Sequence, residues 1–171
     1  MEYKKLHTPS TCSYSMHEDT ASMYWKLLDV NSGKVLDLGS GMGGFGKAKP
    51  ENISLYGVDR DLSISANSHG YEDVVNMDIG STVLPFDDDS FDAILARDIL
   101  EHLDNPSDFI KTFSVFFKFI YIELPDFDKN YLNHYRKDFD MPLIYTDSDH
   151  VTEFDRFDLK AIIYVYLINY F

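Results

Sequence analysis

The sequence predicts an α/β fold, a doubly wound, mostly parallel Rossmann-like sheet of five or six strands, from three observations. Five short apolar runs recur along the chain, at residues 35–38, 53–58, 73–77, 91–96 and 119–124, and each ends at a turn or an acid. None alternates strictly between apolar and polar residues, which is the pattern of strands covered on both faces. Segments of helical spacing lie between and around them, as the crossovers of parallel strands require.

Residues 16–30 come first and place Met23, Tyr24, Leu27 and Leu28 at helical spacing, with Asn31-Ser32-Gly33 to stop the helix. The first strand then runs into a glycine cluster. Only residues 45–52, interrupted by Pro50, separate that cluster from the second strand, so the first crossover helix is little more than a turn. Before the fifth strand, Asn105 supplies a cap and Pro106 the first helical position. Phe109, Ile110, Phe113, Phe116 and Phe117 keep one face and predict a helix of about three turns. Residues 156–164 predict one more helix.

At 171 residues the chain fits one domain, and 13 Phe with 12 Tyr give it ample core material. Its 29 acidic residues outnumber 15 basic ones, and the net charge of -14 would repel a phosphate backbone, so no nucleic-acid substrate is expected. The basic pairs Lys4-Lys5 and Arg136-Lys137 read as solvated runs. Cys12 is alone, which excludes an intramolecular disulfide and a thiolate metal cluster. No apolar signal core follows the N-terminus, and no run reaches the roughly 20 residues of a membrane span. A cytoplasmic protein with no membrane contact is the expectation.

The stretch that carries chemistry is Val35-Leu-Asp-Leu-Gly-Ser-Gly-Met-Gly-Gly-Phe-Gly46. Glycines directly after a buried strand turn the backbone sharply and let a ligand lie against the main chain. Gly39, Gly41 and Gly44 also satisfy the dinucleotide pattern G-x-G-x-x-G. Asp37 separates the two readings. A pyrophosphate near this loop would be repelled by that carboxylate and would want the N-terminus of a full helix. S-adenosylmethionine has no phosphate, and its ammonium and sulfonium are attracted by an acid. Asp59, twenty residues after Gly39, is placed to accept hydrogen bonds from two ribose hydroxyls. Asp78, nineteen further on, is placed to accept one from an adenine amino group, with Ile79 and Leu62 to sandwich the ring. Ligands of doubly wound sheets bind at the carboxyl ends of the strands, so these three acids would converge on one crevice.

With these residues in view, the chain resembles the class I, Rossmann-like S-adenosylmethionine-dependent methyltransferases of the small-molecule type. Val35-Leu-Asp-Leu-Gly-Ser-Gly41 is similar to that family's first motif, Gly57-Val-Asp59 to its acidic second and Met77-Asp-Ile79 to its adenine-contacting third. Leu84-Pro-Phe-Asp-Asp-Asp-Ser-Phe-Asp92 resembles the linker into the fourth strand, and Ile99-Leu-Glu-His-Leu103 the segment after it. The resemblance weakens along residues 34–125. A fainter one joins Tyr145-Thr-Asp-Ser-Asp-His-Val151 and Phe157-Asp-Leu-Lys-Ala161 to the family's substrate-side loop and helix. It implies S-adenosylmethionine as cofactor, with Asp37, Gly39, Ser40, Gly41 and Gly43 around the methionine end, Asp59 and Arg60 at the ribose, Asp78 and Ile79 at the adenine, and backbone contacts from Arg97. It also implies one domain in three parts: a helical lid segment over 1–33, a cofactor-binding core over 34–125, and a substrate-side loop and last helix over 126–171. The family's sheet is closed by an antiparallel hairpin for which no room is expected before Phe171. One sheet edge would then be open, or covered by a partner chain or a second copy in a homodimer.

In such chemistry the protein chiefly holds an acceptor atom in line with the methyl carbon and keeps water out. A base serves a hydroxyl acceptor, and Asp98, His102 and His150 are the candidates. Each has a plainer reading, His102 as a turn-packing residue and His150 as a solvated one. Six scattered His and one Cys match no ligand spacing, so no metal is expected. Tyr14, Tyr24 and Trp25 would form either an aromatic lid over the sulfonium or plain core. The acceptor is a small molecule or a protein. A non-catalytic cofactor-binding module or partner subunit on the same fold is the alternative, followed by aminopropyl transfer and a nicotinamide-dependent oxidoreductase.

Overall fold

Five strands form where the apolar runs lie: β1 (Gly33–Leu38), β2 (Ile53–Asp59), β3 (Asp73–Asn76), β4 (Phe91–Arg97) and β5 (Phe117–Glu123). The structure is a computed structural model that describes residues 18–61, 70–80, 84–127, 131–145, 147 and 149–168. All strand pairings are parallel, in the order β3-β2-β1-β4-β5. The chain moves outward from β1 to β2 and β3, then returns to the other side of β1 for β4 and β5. The sheet is therefore doubly wound, and the order reverses between β1 and β4, where a crevice opens at the strands' carboxyl ends.

β1 is central, and its residues from Val35 to Leu38 are all buried. Successive side chains of a strand point to opposite faces, and this alternation divides the core in two. Leu36, Leu38, Val58 and Ile94 pack with Phe109, Ile110 and Phe113 of α2 (Pro106–Phe113) on one face, where Ile162 of α4 (Arg156–Ile168) also lies. Val35, Leu55, Ala93 and Leu95 pack with Ala21, Trp25 and Leu28 of α1 (Glu18–Leu28) on the other. Fully burying a side chain such as Leu36 or Ile94 stabilises the fold by about 2 kcal/mol. β5 pairs only with β4 among the described residues and carries Phe119 65% exposed.

One crossover matches its sequence-based outline and two helices differ from theirs. The first crossover is a short 3-10 helix, Phe45–Ala48, as the spacing required. α2 is shorter than the three turns expected: it ends at Phe113, Ser114–Phe116 form a 3-10 turn, and Phe117 already belongs to β5. Phe116 and Phe117 are both buried, so the apolar spacing continues across a boundary it does not mark. α3 (Tyr131–Asp138) was not expected. Asn105 does cap α2: its Oδ1 accepts from the Asp108 amide at 3.2 Å, and its Nδ2 donates to Asp108 Oδ2 at 2.7 Å.

Candidate active site

The glycine loop is fixed by main-chain bonds at the end of β2. The amides of Gly39 and Ser40 both donate to the Val58 carbonyl, at 2.8 and 3.1 Å. Gly39, Gly41 and Gly43 all adopt left-handed backbone, φ +70°, +48° and +65°. A Cβ on Gly39 would stand 2.2 Å from Ile99 Cδ1, so strand end and β4 loop are in close apposition there. Asp59 completes the clamp, accepting from the Gly41 amide at 2.7 Å through Oδ2 and from the Asp61 amide at 2.8 Å through Oδ1.

Two cavities meet at this loop. One, of about 930 Å³, is lined by Gly39, Asp59, Arg60, Asp78, Ile79 and Asp98 among others. The second, of about 590 Å³, is lined by Asp37, Gly39, Ser40, Gly41, Arg97 and Asp98 among others. They share Gly39, Asp98 and His102 and so form one crevice along the carboxyl rim of the sheet. Of the residues expected around a cofactor, Gly43 alone lines neither cavity: it is buried behind the loop, and Gly44 lines the second cavity instead. Leu62 lies outside the described residues.

Asp37 is buried at the head of the second cavity and accepts a 2.5 Å hydrogen bond from the Tyr71 hydroxyl. Burial pushes its carboxyl up to about 7, against the pull of the Tyr71 bond and the Arg97 charge. Burial and the neighbouring acid raise the Tyr71 phenol as well, which keeps it a donor. Sequence reasoning missed Tyr71, because nothing local places it across from a residue 34 positions earlier.

Arg97 closes the same cavity from β4. Its guanidinium lies 5.4 Å from the Tyr24 ring centroid and 5.3 Å from that of Phe45, and pairs with Glu123 Oε2 at 3.8 Å and Asp98 Oδ2 at 3.7 Å. Tyr24 donates to Glu123 Oε1 at 2.5 Å, and burial followed by that bond pushes its phenol up to about 12. Tyr24 thus lines the cavity but is occupied with Arg97 and Glu123. Trp25 is core, buried with its Nε1 donating to the Phe45 carbonyl at 2.9 Å, and Tyr14 lies outside the described residues.

The three candidate bases come together. Asp98 follows β4 in left-handed backbone, φ +51°, with its amide donating to the Glu123 carbonyl at 3.0 Å. His102 lines both cavities, and its ring centroid is 4.9 Å from that of His150. His150 is buried rather than solvated, with Nδ1 3.1 Å from Glu153 Oε1. Beside the imidazoles lies a residue that sequence reading did not single out. Glu101 is wholly buried, and neither carboxylate oxygen has a hydrogen-bond partner among the described residues. Burial pushes its carboxyl up to about 8, with the charges of Asp98, Glu153 and Asp149 acting the same way.

A parallel sheet with a glycine loop after β1 and acids at the ends of β1 and β2 defines a nucleoside-binding α/β domain. A methyltransferase domain family matches residues 16–163, and the chain belongs to that family; its fold is the class I, S-adenosylmethionine-dependent one. It is 32% identical over 111 residues to phosphoethanolamine N-methyltransferase of Triticum aestivum, a match covering 60% of this chain and 21% of that protein. The chain thus matches about a fifth of that relative's length. A SAM-dependent methyltransferase from Thermotoga maritima superposes with a TM-score of 0.62 at 19% identity, over 87% of this chain and 69% of that one. A chain of the Haloferax volcanii complex containing the Trm112 methyltransferase activator does so with 0.62 at 16% identity, over 85% and 67%. No helix among the described residues is long and apolar enough to cross a membrane.

Proposed function

We propose that the protein transfers the methyl group of S-adenosylmethionine to a small molecule or a protein side chain, with the crevice as its cofactor site. The observation that carries this reading is that Asp37, Asp59 and Asp78 line one continuous cleft with the glycine loop between them. The residues fit the group. Gly41 is open to an approaching ligand, since the nearest atom to a Cβ there is the Gly39 carbonyl at 3.9 Å. Asp37 offers a carboxylate to an ammonium. Each Asp59 oxygen accepts one amide and retains a second lone pair for a ribose hydroxyl. Asp78 and Ile79 give the far cavity an acceptor and an apolar wall for adenine, and a joined volume of this size suits a nucleoside with an amino-acid tail.

Bound S-adenosylmethionine supplies an activated methyl and its own leaving group. The chain holds the acceptor in line and excludes water. Asp98 and His102, on the wall common to both cavities, are the groups we assign to orient the acceptor and, for a hydroxyl, to take its proton. We place a partner chain or second copy at the outer edge of β5, where Phe119 is exposed. The acid-rich composition and single cysteine fit a cytoplasmic protein acting without nucleic acid.

Calorimetric titration with S-adenosylmethionine, S-adenosylhomocysteine and a nicotinamide dinucleotide, in parallel, tests the reading. Micromolar binding of the first two alone is expected. A folded sample that binds none of them, or binds the dinucleotide, overturns it.

A further inference from the structure

The smaller cavity is lined by a cluster that cofactor binding does not use, Glu101, His102 and His150, of which His102 also lines the larger one. One ligand atom from each of Glu101, His102 and His150 lies within 4.8 Å of the other two. Glu101 is wholly buried, and both its carboxylate oxygens lack hydrogen-bond partners among the described residues. Leaving a buried carboxylate unsatisfied is costly, so such a group calls for a ligand of opposite charge. His150 Nε2 stands 4.0 Å from Glu101 Oε1, on the side of the ring away from Glu153.

We propose that Glu101, His102 and His150 bind one divalent transition-metal cation. The support around the cluster is that of a metal site. A metal-bound imidazole commonly donates its second ring N–H to a carboxylate, which fixes its tautomer and orientation. Glu153, its side chain 2% exposed, faces His150 Nδ1 at 3.1 Å and is placed to accept that nitrogen's N–H. Asp149 Oδ2 stands 3.4 Å from His102 Nδ1 in the same way. The amides of Val151 and Thr152 both donate to the Glu101 carbonyl, at 2.8 and 3.2 Å, and pin the His150 segment against it. Two imidazoles and one carboxylate suit zinc, cobalt(II) or iron(II) better than magnesium. Ligands of a tetrahedral zinc sit about 3.4 Å apart, so side-chain adjustments of about 1 Å close the set.

The cluster departs from the expectation of no metal, because 48 positions separate His102 from His150 and no local spacing announces it. If the crevice holds a methyl donor, a reading on which this last step rests, His102 serves as a ligand instead of a base, Asp98 is left to take an acceptor proton, and the cation would bind an acceptor oxygen.

The test uses chelator-treated full-length protein titrated with zinc against a chromophoric competitor, with magnesium in a second arm. One equivalent of zinc bound at micromolar or tighter affinity is expected, with magnesium at least 100-fold weaker. Glu101→Gln and His150→Gln should each lose the site, and Glu153→Gln should weaken it by about 10- to 100-fold. Cobalt(II) absorption in the wild type reads the ligand field directly, so a variant that fails to fold leaves the site open to measurement. No stoichiometric zinc binding, absence of visible cobalt bands, or affinity unchanged in folded variants overturns the assignment. Metal binding is read without S-adenosylmethionine, so its failure beside intact cofactor binding sinks this inference alone.

Discussion

Asp59 holds Gly41. The carboxylate that ends β2 accepts the amide of the glycine loop that ends β1, at 2.7 Å, and its other oxygen accepts the Asp61 amide. The acid proposed to meet the ribose is therefore also the fastening of the loop proposed to meet the methionine end. Asp59→Ala should cost both at once. A hydrogen bond to a charged group contributes about 1.5–3 kcal/mol, so cofactor affinity should fall at least about 10-fold. Hydrogen exchange at Gly41 should accelerate even without cofactor. Lost affinity with unchanged exchange would restrict Asp59 to the ribose contact.

Asp37 sets a pH dependence whose sign follows from its raised carboxyl. Its folded value is about 7 against an ordinary 3.8, so the folded state holds the proton more tightly than the unfolded chain. The stability this contributes is complete below about pH 4 and is lost as pH rises through 7, a difference of a few kcal/mol. Denaturant titrations of wild type and Asp37→Asn should show a stability gap that changes across that window. Cofactor binding runs the other way, because an ammonium prefers the ionised acid. Affinity for S-adenosylmethionine should rise from pH 6 to 7.5, and a pH-independent affinity would remove Asp37 from the site.

Tyr71→Phe deletes the bond that keeps Asp37 acidic enough to ionise near neutrality. Stability should drop by about 1–3 kcal/mol, and the pH profile for cofactor binding should move to higher pH. A profile that stays in place would show that the hydroxyl only packs.

Gly57 sits in β2 beneath the loop. A Cβ there would meet Ser40 Oγ at 2.9 Å, Ser40 Cβ at 3.0 Å and Val74 Cγ2 at 3.0 Å. Gly57→Ala should displace Ser40 and weaken cofactor binding by about 10-fold or more while circular dichroism stays native; overpacking of this kind costs about 1–3 kcal/mol. Unchanged affinity would show that the loop tolerates the shift.

Asn105→Ala removes the cap of α2, an effect of about 1 kcal/mol that should lower the melting temperature by about 2–4 °C. A larger drop would point to a role for Asn105 beyond the helix, at the cavity it also lines.

The strands were legible because a central parallel sheet buries nearly continuous apolar runs, as in Val35 to Leu38, and the first three runs are closed by Gly39, Asp59 and Asp78. α3 was not, since Tyr131–Asp138 is largely polar and has no apolar stripe to read. The acids Asp37, Asp59 and Asp78 could be placed from strand ends alone. Tyr71, Glu101 and the pairing of His102 with His150 could not, because each depends on which loops the tertiary fold brings together. Glu101 stands within a segment singled out for other reasons, and only its burial under residues 150–152 distinguishes it from an ordinary surface acid.

The two apolar halves of the core touch the crevice at different ends. Phe109 and Phe113, from the half under α2, line the larger cavity, while Phe45, from the half under α1, lines the smaller. A molecule lying along the whole crevice acts as a rivet through both layers. Neither layer can then loosen without releasing it, so ligand at 100 times its Kd would add about 2.7 kcal/mol to the unfolding of the molecule as one piece. A shorter ligand filling one end would brace one layer and leave the other to melt on its own schedule.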